Sequence, residues 1–260
     1  MNENQYIQKE VINRVCYITL DRPEKRNALN HAFVTELKTA FREAEVSETV
    51  RAIVLRSSGK VFCAGADLAY LRQLQANDFD ENLRDSTHLM GLFDLIYRLG
   101  KPVIAQIQGH AVAGGAGLAT VCDFSFSVPE AKLGYTEVRI GFIPAIVMVF
   151  LIRKCGELRA KELLLSGELI DAQTAVTYNM INRVIPADSI ENEVKAFAEM
   201  LATKNSGQSM HLTKKMIGDI QHFPAKEALA FAARMNARAR SSDDCKRGVA
   251  AFLDKEKIDW

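Results

Sequence analysis

Two short segments built from glycine and alanine, and one glutamate, are the residues of this chain whose types and spacing could do chemistry. Residues 109–123 read Gly-His-Ala-Val-Ala-Gly-Gly-Ala-Gly-Leu-Ala-Thr-Val-Cys-Asp. They follow an apolar run at 102–108 that reads as a buried strand, and they lead into a helix. Where a strand gives way to a helix through glycines, backbone N–H groups face open space beside the positive helix end. Such a place can hold a phosphate, or the negative oxygen of a polarised carbonyl. A second junction of the same character, Ala64-Gly65-Ala66-Asp67, lets two sets of amides converge on one oxygen. Glu137 stands just before the most apolar stretch, 140–152. A carboxylate against such surroundings has a raised pKa and can move protons near neutrality.

The phosphate alternative finds little support. The glycines do not match GxGxxG, and no Gly-Lys-Ser/Thr follows them. A third reading is that Gly109, Gly114, Gly115 and Gly117 only allow close helix–strand packing. Neighbouring residues carry bland readings beside functional ones. Asp67 reads as the N-cap of a helix starting at Leu68, His110 as a hydrogen-bonded structural histidine, and Cys63 and Cys122 as small core residues. Arg139 reads as half of a surface ion pair, or as the partner of a second substrate carboxylate.

The elements that must position these groups alternate between strand and helix. A β-branched alternation at 11–20 predicts a strand, and Asn30 caps a helix to about Val46. Residues 51–59 predict a second strand closed by Ser57-Ser58-Gly59. A polar helical stretch runs over 68–100 with a break near Asn77-Asp78, followed by strands at 103–108 and 124–128. The last third is helical, at 159–165, 172–178, 190–203, 210–220 and 226–240. The pattern is α/β with a C-terminal helical layer.

Composition narrows the function classes. The chain has 260 residues, enough for one full-sized α/β core with an extension. Lys+Arg at 33 against Asp+Glu at 32 leaves a formal charge of +1, with no basic-aromatic stripe, so no nucleic-acid partner is expected. The five cysteines are scattered without ligand spacing, so free thiols in a reducing compartment and no metal are expected. No segment has the apolar length of a membrane span. The polar start at Asn2, Glu3, Asn4 and Gln5 lacks the order of a signal peptide, which fits a cytoplasmic location.

In their order and spacing these residues resemble the crotonase (enoyl-CoA hydratase/isomerase) superfamily. The resemblance runs from Asp21-Arg-Pro-Glu-Lys-Arg-Asn-Ala-Leu, through Phe62-Cys-Ala-Gly-Ala-Asp-Leu and the glycine junction to Glu137. It continues through Leu165-Ser-Gly-Glu-Leu-Ile-Asp to Gly248-Val-Ala-Ala-Phe-Leu-Asp-Lys. It implies a crotonase-like spiral of ββα units, with an α/β core over 1–200 and a helical trimerisation region over 201–260. It implies an oxyanion hole for an acyl-CoA thioester made by the N–H groups of Ala66 and Gly114, and Glu137 as acid/base. Lys25, Ala28, Leu29, Ala64, Gly65, Asp67, Leu68 and Gly115 would surround the CoA or substrate. Phe252 and Lys255 would join them from a neighbouring subunit of a homotrimer or dimer of trimers. Coenzyme A enters as part of the substrate, and no other cofactor is implied.

One departure matters. Hydratases of this family carry two glutamates, and the first aligns with Gly117 here. One carboxylate suffices for a Δ3-Δ2 enoyl-CoA isomerase, and the apolar run 141–151 resembles that of such enzymes. The glycine junction and the Glu137 segment together resemble bacterial enoyl-CoA or 3-methylglutaconyl-CoA hydratases more closely. Tyr135, where glutamine is more usual, is then a candidate donor, or else a packed aromatic. Hydration of a 2-enoyl-CoA leads, isomerisation follows, and a non-catalytic CoA- or RNA-binding relative is the third expectation.

Overall fold

The computed structural model describes residues 6–260; Asn2, Glu3, Asn4 and Gln5 lie outside the described residues. Ten strands follow in chain order: β1 (Ile7–Ile12), β2 (Val15–Leu20), β3 (Ala52–Ser57), β4 (Val61–Cys63), β5 (Val103–Ile107), β6 (His110–Val112), β7 (Phe124–Ser127), β8 (Lys132–Gly134), β9 (Leu169–Asp171) and β10 (Arg183–Val184). The helices are α1 (His31–Val46), α2 (Leu68–Leu74), α3 (Phe79–Arg98), α4 (Gly114–Val121), α5 (Ala145–Ser166), α6 (Ala172–Thr177), α7 (Ile190–Lys204), α8 (Gly207–Ile220), α9 (Ala225–Arg240) and α10 (Asp243–Asp254).

The strands sort into two sheets, ordered β1-β2-β3-β5-β7-β10 and β4-β6-β8-β9. Successive strands go alternately to one sheet and the other, β3 then β4, β5 then β6, β7 then β8. Apart from antiparallel β1–β2 and β8–β9, every pair is parallel. The chain therefore winds forward as ββα turns. The large sheet was readable because parallel strands buried on both faces are continuous apolar runs; all of β5 is buried. The two- and three-residue strands were not, since so few residues carry no periodicity.

Two expectations need correction. The single strand at 11–20 is a hairpin, turned by Asn13 and Arg14 at φ 48° and 66°. Those two left-handed residues suit the tight turn of a twisted hairpin, and Arg14 gives no turn signal in sequence. The apolar stretch 140–152, which by sequence reads as a core element or the lining of an apolar pocket, is buried along one side only. Val147 and Leu151 of α5 are buried, but Ile140, Phe142 and Ile143 are exposed, as are Val149 and Ile152 on the outer side of the helix. A run apolar on every side hides which face turns inward. The helix expected at 159–165 is the second half of α5, beyond a kink at Gly156. Within the helical region expected over 201–260, the sequence reading sets no bounds for α10; its N-cap Ser242 accepts from Cys245 N.

Helix ends near the site are set by side chains. Asn30 accepts from Phe33 N at 2.8 Å to start α1, and Asp78 with Glu81 forms a capping box at α3. Among the described residues no helix is long and apolar enough to cross a membrane. Polar bonds fasten the helical layer to the core, among them Arg14 to Trp260 O, Arg153 to Gln221 and a cluster at Lys214. Lys214 of α8 donates to Asp123 Oδ2 at 2.7 Å, and Asp123 Oδ2 also accepts from Val103 N at 2.7 Å at the start of β5. Asp123→Ala is expected to lose about 1–3 kcal/mol of unfolding free energy, as charged hydrogen bonds of this kind do. Denaturant titration checks it; Lys214→Met in the Asp123→Ala background should cost more, because Lys214 Nζ also donates to Lys101 O at 3.1 Å and Ile96 O at 3.3 Å, but less than the two single losses summed.

Candidate active site

The first half of the site is a loop laid against a strand-to-helix junction. A 3-10 turn at Pro23–Lys25 is followed by Arg26 and Asn27, both at φ 53°. Asn27 is fully buried. Its amide donates to Ser58 O and Val61 O, each at 2.9 Å, and its carbonyl accepts from Arg22 N at 2.8 Å. The loop thereby holds the β3–β4 turn. Leu29 then bridges Ala66: Leu29 N donates to Gly65 O at 2.7 Å, and Asp67 N donates to Leu29 O at 2.8 Å. These bonds grip both sides of Ala66 and leave its own N–H without an acceptor among the described residues, on an exposed residue.

Asp67 is buried and caps α2, accepting from Ala69 N at 2.8 Å and Tyr70 N at 3.3 Å. Its second oxygen takes Arg22 Nη1 at 2.7 Å. Burial alone would raise the Asp67 pKa, but the two N–H groups and the guanidinium outweigh it and hold the carboxyl below its usual range. The cap reading of Asp67 holds, and Leu68 behind it is exposed.

The second half is the glycine junction. Ala113 takes φ 53° and ψ −123°, a conformation unfavourable for a residue with a side chain, and its N–H is fixed to Gly134 O at 2.8 Å. Strain of this kind costs about 1–3 kcal/mol and persists only where the surroundings enforce it. Ala113 turns the chain so that Gly114 opens α4 with its N–H unpaired among the described residues. The two junctions touch. A Cβ on Gly65, itself at φ 89°, would stand 2.9 Å from Ala113 Cβ and 3.7 Å from Gly114 N.

The glycines divide by cause. A Cβ on Gly109 would run into Lys60 O, and one on Gly115 would run into Cys63 O. A Cβ on Gly117 would run into Val147 Cγ1 and lie 2.9 Å from Phe93 Cε1. Those three are glycines because of packing. Gly114 would meet only Leu29 Cδ1, at an ordinary 3.4 Å.

Glu137 arrives through the small sheet. β8 pairs with β6, Val112 opposite Gly134, so the residues after Gly134 emerge beside the start of α4. Glu137 is half-buried, opens a 3-10 turn ending at Gly141, and has Oε2 buried without a hydrogen-bond partner. Burial raises its pKa, opposed by its own backbone N–H. A half-buried carboxylate with one oxygen left unpaired is an unfavourable object to build, and that oxygen is open to take a proton from a ligand.

Tyr135 is fully buried with its hydroxyl engaged by Thr120 Oγ1 at 2.7 Å, so it is a packed aromatic and not a donor to substrate. Arg139 is paired with Glu168. His110 Nδ1 accepts from Lys132 N at 2.9 Å, a structural role. Lys25 is exposed on the loop, while Ala28, Leu29 and Gly65 are buried and Ala64 partly so. Gly115 is buried against Cys63. Phe252 and Lys255 are exposed on α10 and its C-cap; α10 packs on α8 and α9, and within one chain they do not join the cluster. Cys63 and Cys122 are buried, and burial pushes both thiols up to about 12. Among the described residues no group of three or more His, Cys, Asp or Glu could hold a metal ion. Cavities of about 640 and 840 Å³ lie elsewhere, and Glu137, Ala66 and Gly114 line neither.

Comparison with known proteins gives the family. Residues 10–260 match the family model described as enoyl-CoA hydratase/isomerase. A Thermus thermophilus protein named "Putative enoyl-CoA hydratase" is 42% identical over 241 residues, covering 93% of this chain and 95% of that one. A Syntrophomonas wolfei protein named crotonyl-CoA hydratase is 32% identical, covering 99% and 98%. The crystal structure of an enoyl-CoA hydratase from Shewanella pealeana superposes with TM-score 0.94 at 28% identity, covering 98% and 96%. The chain belongs to the enoyl-CoA hydratase/isomerase family.

Within the crotonase superfamily this chain is marked by what surrounds Gly117. The position that resemblance assigns to a second glutamate is filled from outside by Val147 and Phe93. Sequence reading found Gly117 but not its neighbours, since nothing in residue order joins α3, α4 and α5. Residue order shows Asp21-Arg-Pro-Glu-Lys-Arg-Asn as a polar turn and does not show what Arg22 and Asn27 hold. The signal available was Asn27 directly before the apolar Ala28-Leu29, where a buried asparagine in the left-handed region can replace backbone pairing. Gly117→Ala is expected to lose about 1–3 kcal/mol through overpacking. Adding Val147→Ala should recover part of it, so that the double variant loses less than the single losses summed, measured by denaturant unfolding.

Proposed function

We propose that this protein hydrates 2-enoyl-CoA thioesters, with the Ala66 and Gly114 N–H groups binding the thioester oxygen and Glu137 as the single acid/base. The observation that carries this is the pair of unpaired amides on touching junctions beside a carboxylate oxygen that has no partner. Water adds its oxygen to C3 while Glu137 takes a proton from it. Electron density moves onto the thioester oxygen, where preorganised N–H groups stabilise it by several kcal/mol. The protonated Glu137 then delivers a proton to C2, and the 3-hydroxyacyl-CoA leaves with the carboxylate restored. The names of the relatives support this direction.

A second reading rests on Gly117. With Val147 and Phe93 closing that position, no second carboxylate is there to hold the attacking water. Glu137 alone could take a proton from C2 of a 3-enoyl-CoA and return it to C4. A 3-methylglutaconyl group is the less favoured substrate, because Arg139 is already paired with Glu168 and offers no free cation to a second carboxylate. Leu229, Val249, Phe252 and Leu253 are exposed apolar residues of α9 and α10. They suit assembly into a trimer or a dimer of trimers in which Phe252 and Lys255 reach a neighbour's CoA.

Incubation with 2-enoyl-, 3-enoyl- and 3-methylglutaconyl-CoA should give 3-hydroxyacyl-CoA fastest from the first. Isomerised product without any hydroxyacyl-CoA would establish the second reading instead. Binding without turnover of any thioester would mark a non-catalytic relative. Glu137→Gln is expected to lower kcat by about 10²–10⁴-fold.

The pH dependence follows from burial. Because the Glu137 pKa is raised, kcat/KM should fall as pH drops through a value above the ordinary glutamate of about 4.3. The same shift makes the ionised side chain a burden on the folded state. Stability from this group is present below the unfolded pKa and is lost as pH rises through the folded one. Glu137→Gln should therefore melt at the same temperature or higher at neutral pH, while being inactive.

A further inference from the structure

We propose that Arg22 is a positioning residue for the Ala66 amide, acting through Asp67 without touching the substrate. The proposal rests on the reading of that amide as an oxyanion donor. Ala66 is held from only two sides. Leu29 grips Gly65 O and Asp67 N, and the Asp67 side chain anchors the residue that follows. Asp67 uses one oxygen to cap α2 and gives the other to Arg22 Nη1 at 2.7 Å. That guanidinium also reaches Ala28 O at 3.4 Å, and its carbon lies 5.2 Å over the Tyr6 ring. Arg22 thus ties the segment before Leu29 to the segment after Ala66, closing a loop around the exposed amide.

The pair is shielded, which makes it stiff. The Arg22 and Asp67 side chains are 14% and 9% exposed. At that burial a charged hydrogen bond is stronger than on the surface, and losing one partner strands the other. Gly65, at φ 89°, is the one residue between the Arg26-held Ala64 and Ala66, and it gives the segment backbone freedom. Release of Asp67 would let the Ala66 N–H swing from its partner Gly114. Displacements near 1 Å in such sites cost about 10² in rate. The sequence shows Arg22 only as a charge in a polar turn, 45 residues from the group it meets.

The test uses the full-length protein and acetoacetyl-CoA, whose enolate is read by its near-ultraviolet absorbance, with butyryl-CoA as a ligand that forms no enolate. For Arg22→Ala the affinity for the enolate should fall by about tenfold or more, while butyryl-CoA affinity stays within about twofold. On the best enoyl-CoA substrate kcat should fall by about 10–100-fold with KM little changed. Asp67→Asn keeps the cap, because asparagine caps as well as aspartate, yet it loses the ion pair. It should reproduce the effect, and the double variant should add little. Arg22→Lys should restore part of the loss.

Unchanged enolate affinity and kcat in Arg22→Ala would overturn the proposal. Equal weakening of butyryl-CoA would do so too, by making Arg22 a contact of the CoA. If Arg22→Ala does not fold, Asp67→Asn decides by the same criteria. If the unaltered protein binds butyryl-CoA but stabilises no enolate, the oxyanion reading itself fails, and that outcome is distinct from a failure of Arg22 alone.

Discussion

The constraint on which the site depends is that two backbone N–H groups are left without acceptors in the same place. A folded chain ordinarily pairs almost every such group, so leaving two open on adjoining segments requires the surroundings to forbid the alternatives. At Ala66 the neighbours on both sides are consumed by Leu29, so the strand-like pairing stops one residue short. At Gly114 the preceding alanine is bent into a conformation it disfavours and locked there by Gly134 O. Neither arrangement follows from local preference. Both are imposed by the small sheet, whose strands bring residues 61–63, 110–112 and 132–134 into register.

The same small sheet explains why Glu137 sits where it does. Its strand ends at the glycine that pins Ala113, so one stretch of chain supplies both the strain at Ala113 and the carboxylate proposed to move the proton. The turn that carries Glu137 packs on α5, and burial raises the Glu137 pKa. A more hydrated carboxylate would be a weaker base near neutrality, and a fully buried one could not reach solvent or substrate. The half-buried position is the compromise between those two demands.

What could be read from residue order follows from the length scale of each feature. The long parallel strands and the helices capped by Asn30 and Asp78 were legible because their patterns run over many residues. The hairpin turn at Asn13-Arg14 was not, because one of its two left-handed residues is an arginine. Gly114, Ala66 and Glu137 could be picked out by type. Their convergence could not, since it depends on three-residue strands that carry no pattern. The reason for Gly117 was wholly hidden, as Val147 and Phe93 come from two other helices. Arg22 and Asn27 escaped for the same reason: each acts on segments more than thirty residues away.

A site made of backbone amides depends on the path of the main chain more than on side-chain identity. A structure sharing 28% of residues superposes with TM-score 0.94, so the winding of the two sheets is kept while most side chains differ. The side chains that would meet the reacting carbons are few, the proposed proton carrier Glu137 and whatever faces it, with Arg22 and Asp67 acting behind the Ala66 amide. Family membership is therefore a property of the fold, while the choice between adding water and shifting a double bond is a property of a few side chains. In this chain those are Glu137, with its unpaired oxygen, and the Val147–Phe93 wall against Gly117. Apolar groups at that wall can neither orient a water nor hold a proton. A hydratase built this way must draw all of its water activation from one carboxylate, whereas an isomerase would need no water there at all.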